Sequence, residues 1–288
     1  MNDQISKNTG WQRIVLLVLP YIFIVGLFGF FGIMVAEIDV TRDIQHATPI
    51  QRLTLGIFDF IGTFLLIWIF MKYVDKQNFI ELGFHTKNRF KEFFAGIIIG
   101  GLIMSFGYLT LFGLGEISFQ KIVFDPNQLL IVTLQFAIVA IVEETLFRGY
   151  ILKNLMVSFN KYLALTISSI LFALVHSFNP NISWFALFEL FIGGVLLGLT
   201  YIHTKNLWFP IALHFSWNLF QSLLGFNVSG IDSYSIVEHQ IVNANYVNGG
   251  PFGFEGSVLS LIAQILLILG IIFFYAPKKS KQSKGYNL

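Results

Sequence analysis

The chain contains no cysteine. Disulfides, iron–sulfur clusters and thiol catalysis are therefore excluded. Charge is also scarce. Asp, Glu, Lys and Arg make up 12% of its 288 residues, against roughly 25% in a soluble domain. Such a chain cannot solvate the surface of an ordinary globular enzyme. Formal net charge is only +2, and the one dense basic run, Lys278 to Lys284, reads as a membrane topology anchor; no nucleic-acid partner is expected.

In place of charge there is oil: 55% hydrophobic residues, 33 phenylalanines and a mean hydropathy of +0.72. A transmembrane helix needs about 20 mostly apolar residues. Eight stretches qualify, at about 12–35, 53–72, 93–114, 129–151, 163–178, 185–202, 207–225 and 257–275. The expected fold is an all-α bundle of eight transmembrane helices forming one integral membrane domain over 1–288. The first apolar run, Trp11 to Met34, exceeds a signal-peptide core of about 7–15 residues and reads as a retained span. Gly96/Gly100 and Gly194/Gly198 have the spacing that lets two helices approach closely.

Basic residues set the orientation. Fifteen of the eighteen fall on one set of alternate connections; Arg42, Arg52 and Lys121 fall on the other. This predicts a multi-pass plasma-membrane protein with both termini cytoplasmic. The Ile-, Phe-, Asn- and Lys-rich composition points to a bacterial membrane. Segment 73–92 reads as an interfacial loop on the inner leaflet, and 226–256, free of Lys and Arg, as a long extracytoplasmic loop.

Ionisable groups at membrane depth each cost about 2.5–3.5 kcal/mol at a helix centre. Three polar clusters persist nonetheless within 129–225, the expected catalytic-motif core. Glu143 and Glu144 precede Arg148; Phe172 precedes His176; His214 precedes Asn218. Each pair is spaced i, i+4, so its members share a helix face. Glu144 and Arg148 can pair, leaving Glu143 separate. Taken singly, the clusters also have structural readings: an ion-pair clamp, a packed histidine, an interhelical amide bond. A hairpin turning near Phe159-Asn160 levels Glu143 with His176, while His214 enters about 10 Å from the cytoplasmic side. Shared depth argues for one site in the inner half of the bilayer.

In this order and on separate helices, the three clusters resemble the three motifs of the CPBP family. That family comprises type II CAAX prenyl endopeptidases, bacteriocin-processing enhancers and related Abi proteins. The resemblance covers about 143–218 and implies an intramembrane endopeptidase acting on a membrane-associated protein or peptide near the cytoplasmic face. It implies that Glu143, with His176, activates water, that His214 and Asn218 stabilise the oxyanion, and that Glu144 and Arg148 hold the site in shape. Two histidines and a glutamate can also hold zinc, so Glu143, His176 and His214 are the candidate ligands if a metal takes part. No H-E-x-x-H pair is present, and a metal-free glutamate mechanism suits the same residues. The alternative function is a non-catalytic membrane partner, such as a bacteriocin self-immunity factor. A proton-coupled transporter is a third class, but no paired inverted repeat is evident.

The absence of cysteine makes the topology directly testable. Ser233→Cys should react with an impermeant maleimide in intact cells and Ser283→Cys should not. The reverse pattern would invert the orientation.

Overall fold

Helices form at each of the eight expected stretches in the computed structural model, which describes residues 9–39 and 47–276. Lys7, Arg42 and the Lys278–Lys284 run lie outside the described residues. The helices are α1 (Gly10–Val35), α2 (Pro49–Ile69), α3 (Phe90–Gly113), α4 (Pro126–Glu144), α5 (Lys161–Val175), α6 (Trp184–Thr204), α7 (Trp208–Leu223) and α8 (Val258–Tyr275). Six are long and apolar enough to cross a membrane. The other two, α5 and α7, have 15 and 16 residues. Among the described residues eight helices are thus present, while six satisfy the length and composition of a span. Two helices continue in π-helical form, α2 through Phe70–Asp75 and α4 through Thr145–Leu152, the latter then running on as Lys153–Ser158.

Local chemistry fixes the helix starts. Thr48 and Gln51 form a capping box ahead of α2. Asp125, Asn160, Ser183 and Ser257 each accept backbone N–H bonds at the starts of α4, α5, α6 and α8. Such caps satisfy donors that a helix end otherwise leaves bare. The Asn160 cap, after an extended Phe159, makes the hairpin turn read from the sequence.

The glycine pairs do bring helices together. A Cβ on Gly96 would lie 2.8 Å from Ala212 Cβ, and one on Gly100 would lie 2.6 Å from Ser216 Oγ. Thus α3 packs directly on α7, the helix that carries His214 and Asn218. Likewise Gly194 lies against Ser169, and Gly198 against Leu165, joining α6 to α5.

Segment 73–92 does more than lie on a leaflet. Leu82 is fully buried. Its carbonyl accepts from Tyr201 Oη at 2.8 Å, and Gly83 O accepts from Leu207 N at 3.0 Å. The segment is therefore wedged under the start of α7. The expectation of a purely helical chain also missed a small sheet. Strand β1 (Ile117–Ile122) pairs antiparallel with β2 (Val237–Ile241), Ile117 opposite Ile241. Tyr234 Oη donates to Val123 O at 2.9 Å and accepts from Asp125 N at 2.8 Å, tying 226–256 to the start of α4.

The α3–α7 contact leaves no room for a methyl group. Gly100→Ala should cost about 1–3 kcal/mol through overpacking, read as a lower thermal unfolding midpoint in detergent. Gly26→Ala, which meets nothing within 4 Å, should leave it nearly unchanged. An equal midpoint for Gly100→Ala and wild type would show that the two helices separate freely.

Candidate active site

Glu143 and Glu144 are the last two residues of α4, where the backbone widens into its π-helical turns. Such turns aim side chains away from the α-helical register and often mark functional sites. Glu144 and Arg148 are both buried, at 0% and 1% exposure. Arg148 Nη1 donates to Glu144 Oε1 at 2.8 Å, and its Nη2 donates to Gly194 O at 3.2 Å. The guanidinium also lies 4.4 Å from the centroid of the Phe172 ring. The pair read from the sequence is present, and it reaches two further helices.

His214 extends it. His214 Nδ1 lies 2.9 Å from the same Glu144 Oε1. A carboxylate only accepts, so the Nδ1–H donates, and Nε2 is left facing the site. His176 is oriented the same way. It sits at the C-terminal cap of α5, and its Nδ1–H donates to Phe172 O at 2.7 Å. The two Nε2 atoms converge on one oxygen, Glu143 Oε2, at 3.8 Å from His176 and 3.9 Å from His214. That oxygen is buried and has no hydrogen-bond partner among the described residues. Phe172 packs edge-on between the parts, its centroid 4.8 Å from His176 and 6.3 Å from His214.

All six sequence-predicted residues therefore come together. Glu143, His176, His214 and Asn218 face a cavity of about 400 Å³; Glu144 and Arg148 stand behind it. Glu143 is the eighteenth of the 33 residues from Pro126 to Ser158, near the middle of that column. His176 ends α5, at the far end from the Asn160 turn. The cavity walls continue to Asn179, Val228, Ser229, Ile231 and Ser233, away from that turn.

Several polar groups around the cluster escaped the sequence reading. Asp59 of α2 faces the same cavity with Tyr21. Thr63 Oγ1 donates to Asp59 Oδ1 at 3.3 Å, and Tyr21 Oη lies 3.4 Å from Thr63 Oγ1. Asp59 is an acid inside an apolar run, the signal that drew attention to Glu143, but no motif partner flags it. Glu189, Glu255 and Gln264 lie on the opposite side of the histidines. Burial raises the Glu255 carboxyl above its ordinary range, opposed by two hydrogen bonds from Ser229.

The donor set of Glu143, His176 and His214 is chemically suited to zinc, with each imidazole's second nitrogen held as metal-ligating histidines usually are. The spacing is another matter: among the described residues no group of three or more His, Cys, Asp or Glu is placed to hold a metal ion. No step below is routed through one.

Residues 125–220 match the family model described as Type II CAAX prenyl endopeptidase Rce1-like. That stretch carries every motif residue above. The chain is thus similar over that stretch to the CPBP family. It is also 24% identical over 205 residues to the protein named "Putative membrane peptidase YdiL" of Bacillus subtilis (strain 168), an alignment covering 68% of this chain and 80% of that protein. No solved structure matches the chain. Six helices long and apolar enough to cross a membrane, together with these likenesses, support a multi-pass membrane protein similar to membrane peptidases.

The Glu144–Arg148 pair is expected to set the stability of the motif cluster. Arg148→Ala strands a buried carboxylate, which costs about 3–5 kcal/mol, so folded yield should fall sharply. Glu144→Gln combined with Arg148→Met removes both charges and should recover much of that yield. Normal yield and unfolding midpoint for Arg148→Ala would show that the guanidinium acts on substrate rather than on the fold.

Proposed function

We propose that the chain is an intramembrane endopeptidase in which Glu143 is the general base. The observation that carries this reading is the convergence of two imidazole Nε2 atoms on an unpartnered Glu143 oxygen, inside a cavity large enough for an extended peptide segment. His176, with its Nδ1–H held by Phe172 O, presents a lone pair at Nε2. A water entering the cavity can donate one hydrogen to Glu143 and the other to that lone pair. Its oxygen attacks the scissile carbonyl carbon as Glu143 takes the proton.

The carbonyl oxygen becomes an anion and needs donors. Asn218 supplies an amide N–H. His214 supplies Nε2–H when its ring carries two protons, with Nδ1–H on the Glu144 carboxylate. Collapse of the intermediate breaks the C–N bond, and Glu143 passes its proton to the leaving amine. Glu144 and Arg148 touch no reacting atom in this scheme and act by positioning His214.

Cleavage near the cytoplasmic face is part of this reading. The cavity wall, running from Glu143 to the 228–233 segment, supports entry of the substrate from that end or sideways past α1 and α2. If zinc takes part, Glu143, His176 and His214 are the residues that would hold it, and it would supply a Lewis acid at the site.

In purified enzyme Glu143→Gln should abolish turnover, and full activity in this variant would end the proposal. Loss of one oxyanion donor usually costs about 10²–10³ in rate, so Asn218→Ala should retain a measurable remainder. Chelator treatment separates the two schemes. Activity that survives supports glutamate alone; activity lost and then restored by added zinc supports the metal. A Glu143→Gln chain that still confers the cellular phenotype would favour the immunity-type binding role.

A further inference from the structure

Behind the histidines lies a second, smaller cavity of about 60 Å³, walled by His176, His214 and Asn218 on one side and by Glu189, Glu255 and Gln264 on the other. At about 10–15 Å³ of such space for each water, it has room for several waters or an ammonium head. Glu189 comes from α6, Gln264 from α8, and Glu255 from the turn before α8. They are 1%, 4% and 8% exposed.

Their hydrogen bonds are only partly made. Gln264 Nε2 donates to Glu189 Oε1 at 3.1 Å and to Ser260 Oγ at 3.3 Å. Ser229 donates its N–H and its hydroxyl to Glu255 Oε2, each at 2.9 Å. Left over are Glu189 Oε2 and Gln264 Oε1, both buried and without a partner among the described residues. Both are acceptors, so what the cavity lacks is donors. No Lys or Arg lines it, although two carboxylates do. Buried acceptors without donors cost about 1–3 kcal/mol each, and more when charged. A lysine ammonium offers three donors and one positive charge, which matches the two orphan oxygens and the Glu255 carboxylate.

We propose that this cavity is a specificity subsite for a lysine side chain of the substrate. Because the same histidines and Asn218 border both cavities, the lysine falls within a residue or two of the scissile bond. The inference rests on the peptidase reading for its substrate, but the ammonium site itself does not.

The test therefore has a binding arm and a cleavage arm, both on the full chain in lipid nanodiscs. In the first, saturation-transfer NMR compares Nα-acetyl-lysine amide with Nα-acetyl-norleucine amide, which has the same stem without the charge. The lysine probe should bind and the norleucine probe should not, and Glu189→Gln or Glu255→Gln should erase the difference. Equal signals from the two probes with wild-type protein would overturn the site, whether or not the variants fold. In that event a self-contained acid–amide pair in the core is the better account. In the second arm, a mixed peptide library is digested and the products are sequenced. Lysine should be preferred over norleucine by about tenfold or more at one fixed position beside the cut, as expected where a buried polar site rejects an analogue lacking the matching group. In Glu189→Gln that ratio should fall to about one. Cleavage without lysine preference overturns the subsite and spares the peptidase. Selective lysine binding with no cleavage by wild type overturns the peptidase reading and keeps the ammonium site.

Discussion

One carboxylate oxygen holds the motif cluster together. Glu144 Oε1 receives Arg148 from within its own helix and His214 from α7. Through its second nitrogen Arg148 reaches the α6 backbone at Gly194, and through its flat face it reaches Phe172 on α5. Four helices are thereby referenced to a single atom. A bare carboxylate at this depth would be costly; with an arginine and an imidazole on one oxygen it becomes a fixed point. Phe172 repeats the logic in apolar form. Its ring receives the guanidinium and packs beside both histidines, while its carbonyl sets the orientation of His176.

Much of this was legible because helices repeat. Glu144/Arg148, Phe172/His176 and His214/Asn218 are each one turn apart, and the helical rise levels them across the Asn160 hairpin. The link between Glu144 and His214 was not legible, since 70 residues separate them and no periodic rule joins distant positions. Nor was the π-helical stretch 145–152, whose composition resembles any apolar helix. The strands were lost for a different reason. Ile117–Ile122 is short, and its partner lies beyond four intervening helices, so the pairing exists only once the bundle has formed. Asp59, Glu189 and Glu255 carry no motif spacing, and only three-dimensional proximity to the histidines gives them meaning.

The two cavities share a border: His176, His214, Asn218 and Ser229 line both. Segment 226–256 is thus part of the site's walls as well as a connection between α7 and α8. Leu82 and Gly83 perform a comparable service at the start of α7: Gly83 O accepts from Leu207 N, and Leu82 O accepts from the Tyr201 hydroxyl of α6, tying the two helices to one segment.

The shortness of α5 and α7 carries a consequence for the lipid. At 1.5 Å per residue, helices of 15 and 16 residues reach about 22–24 Å, short of a hydrocarbon core of about 30 Å. α7 is enclosed by its neighbours, but α5 has an exposed face, and a bilayer meeting it must thin or bend inward to match it. Headgroups and their hydration then come closer to the helix that ends at His176. Hydrolysis consumes a water at every turnover, and a locally thinned membrane is a means of supplying it to a site surrounded by oil.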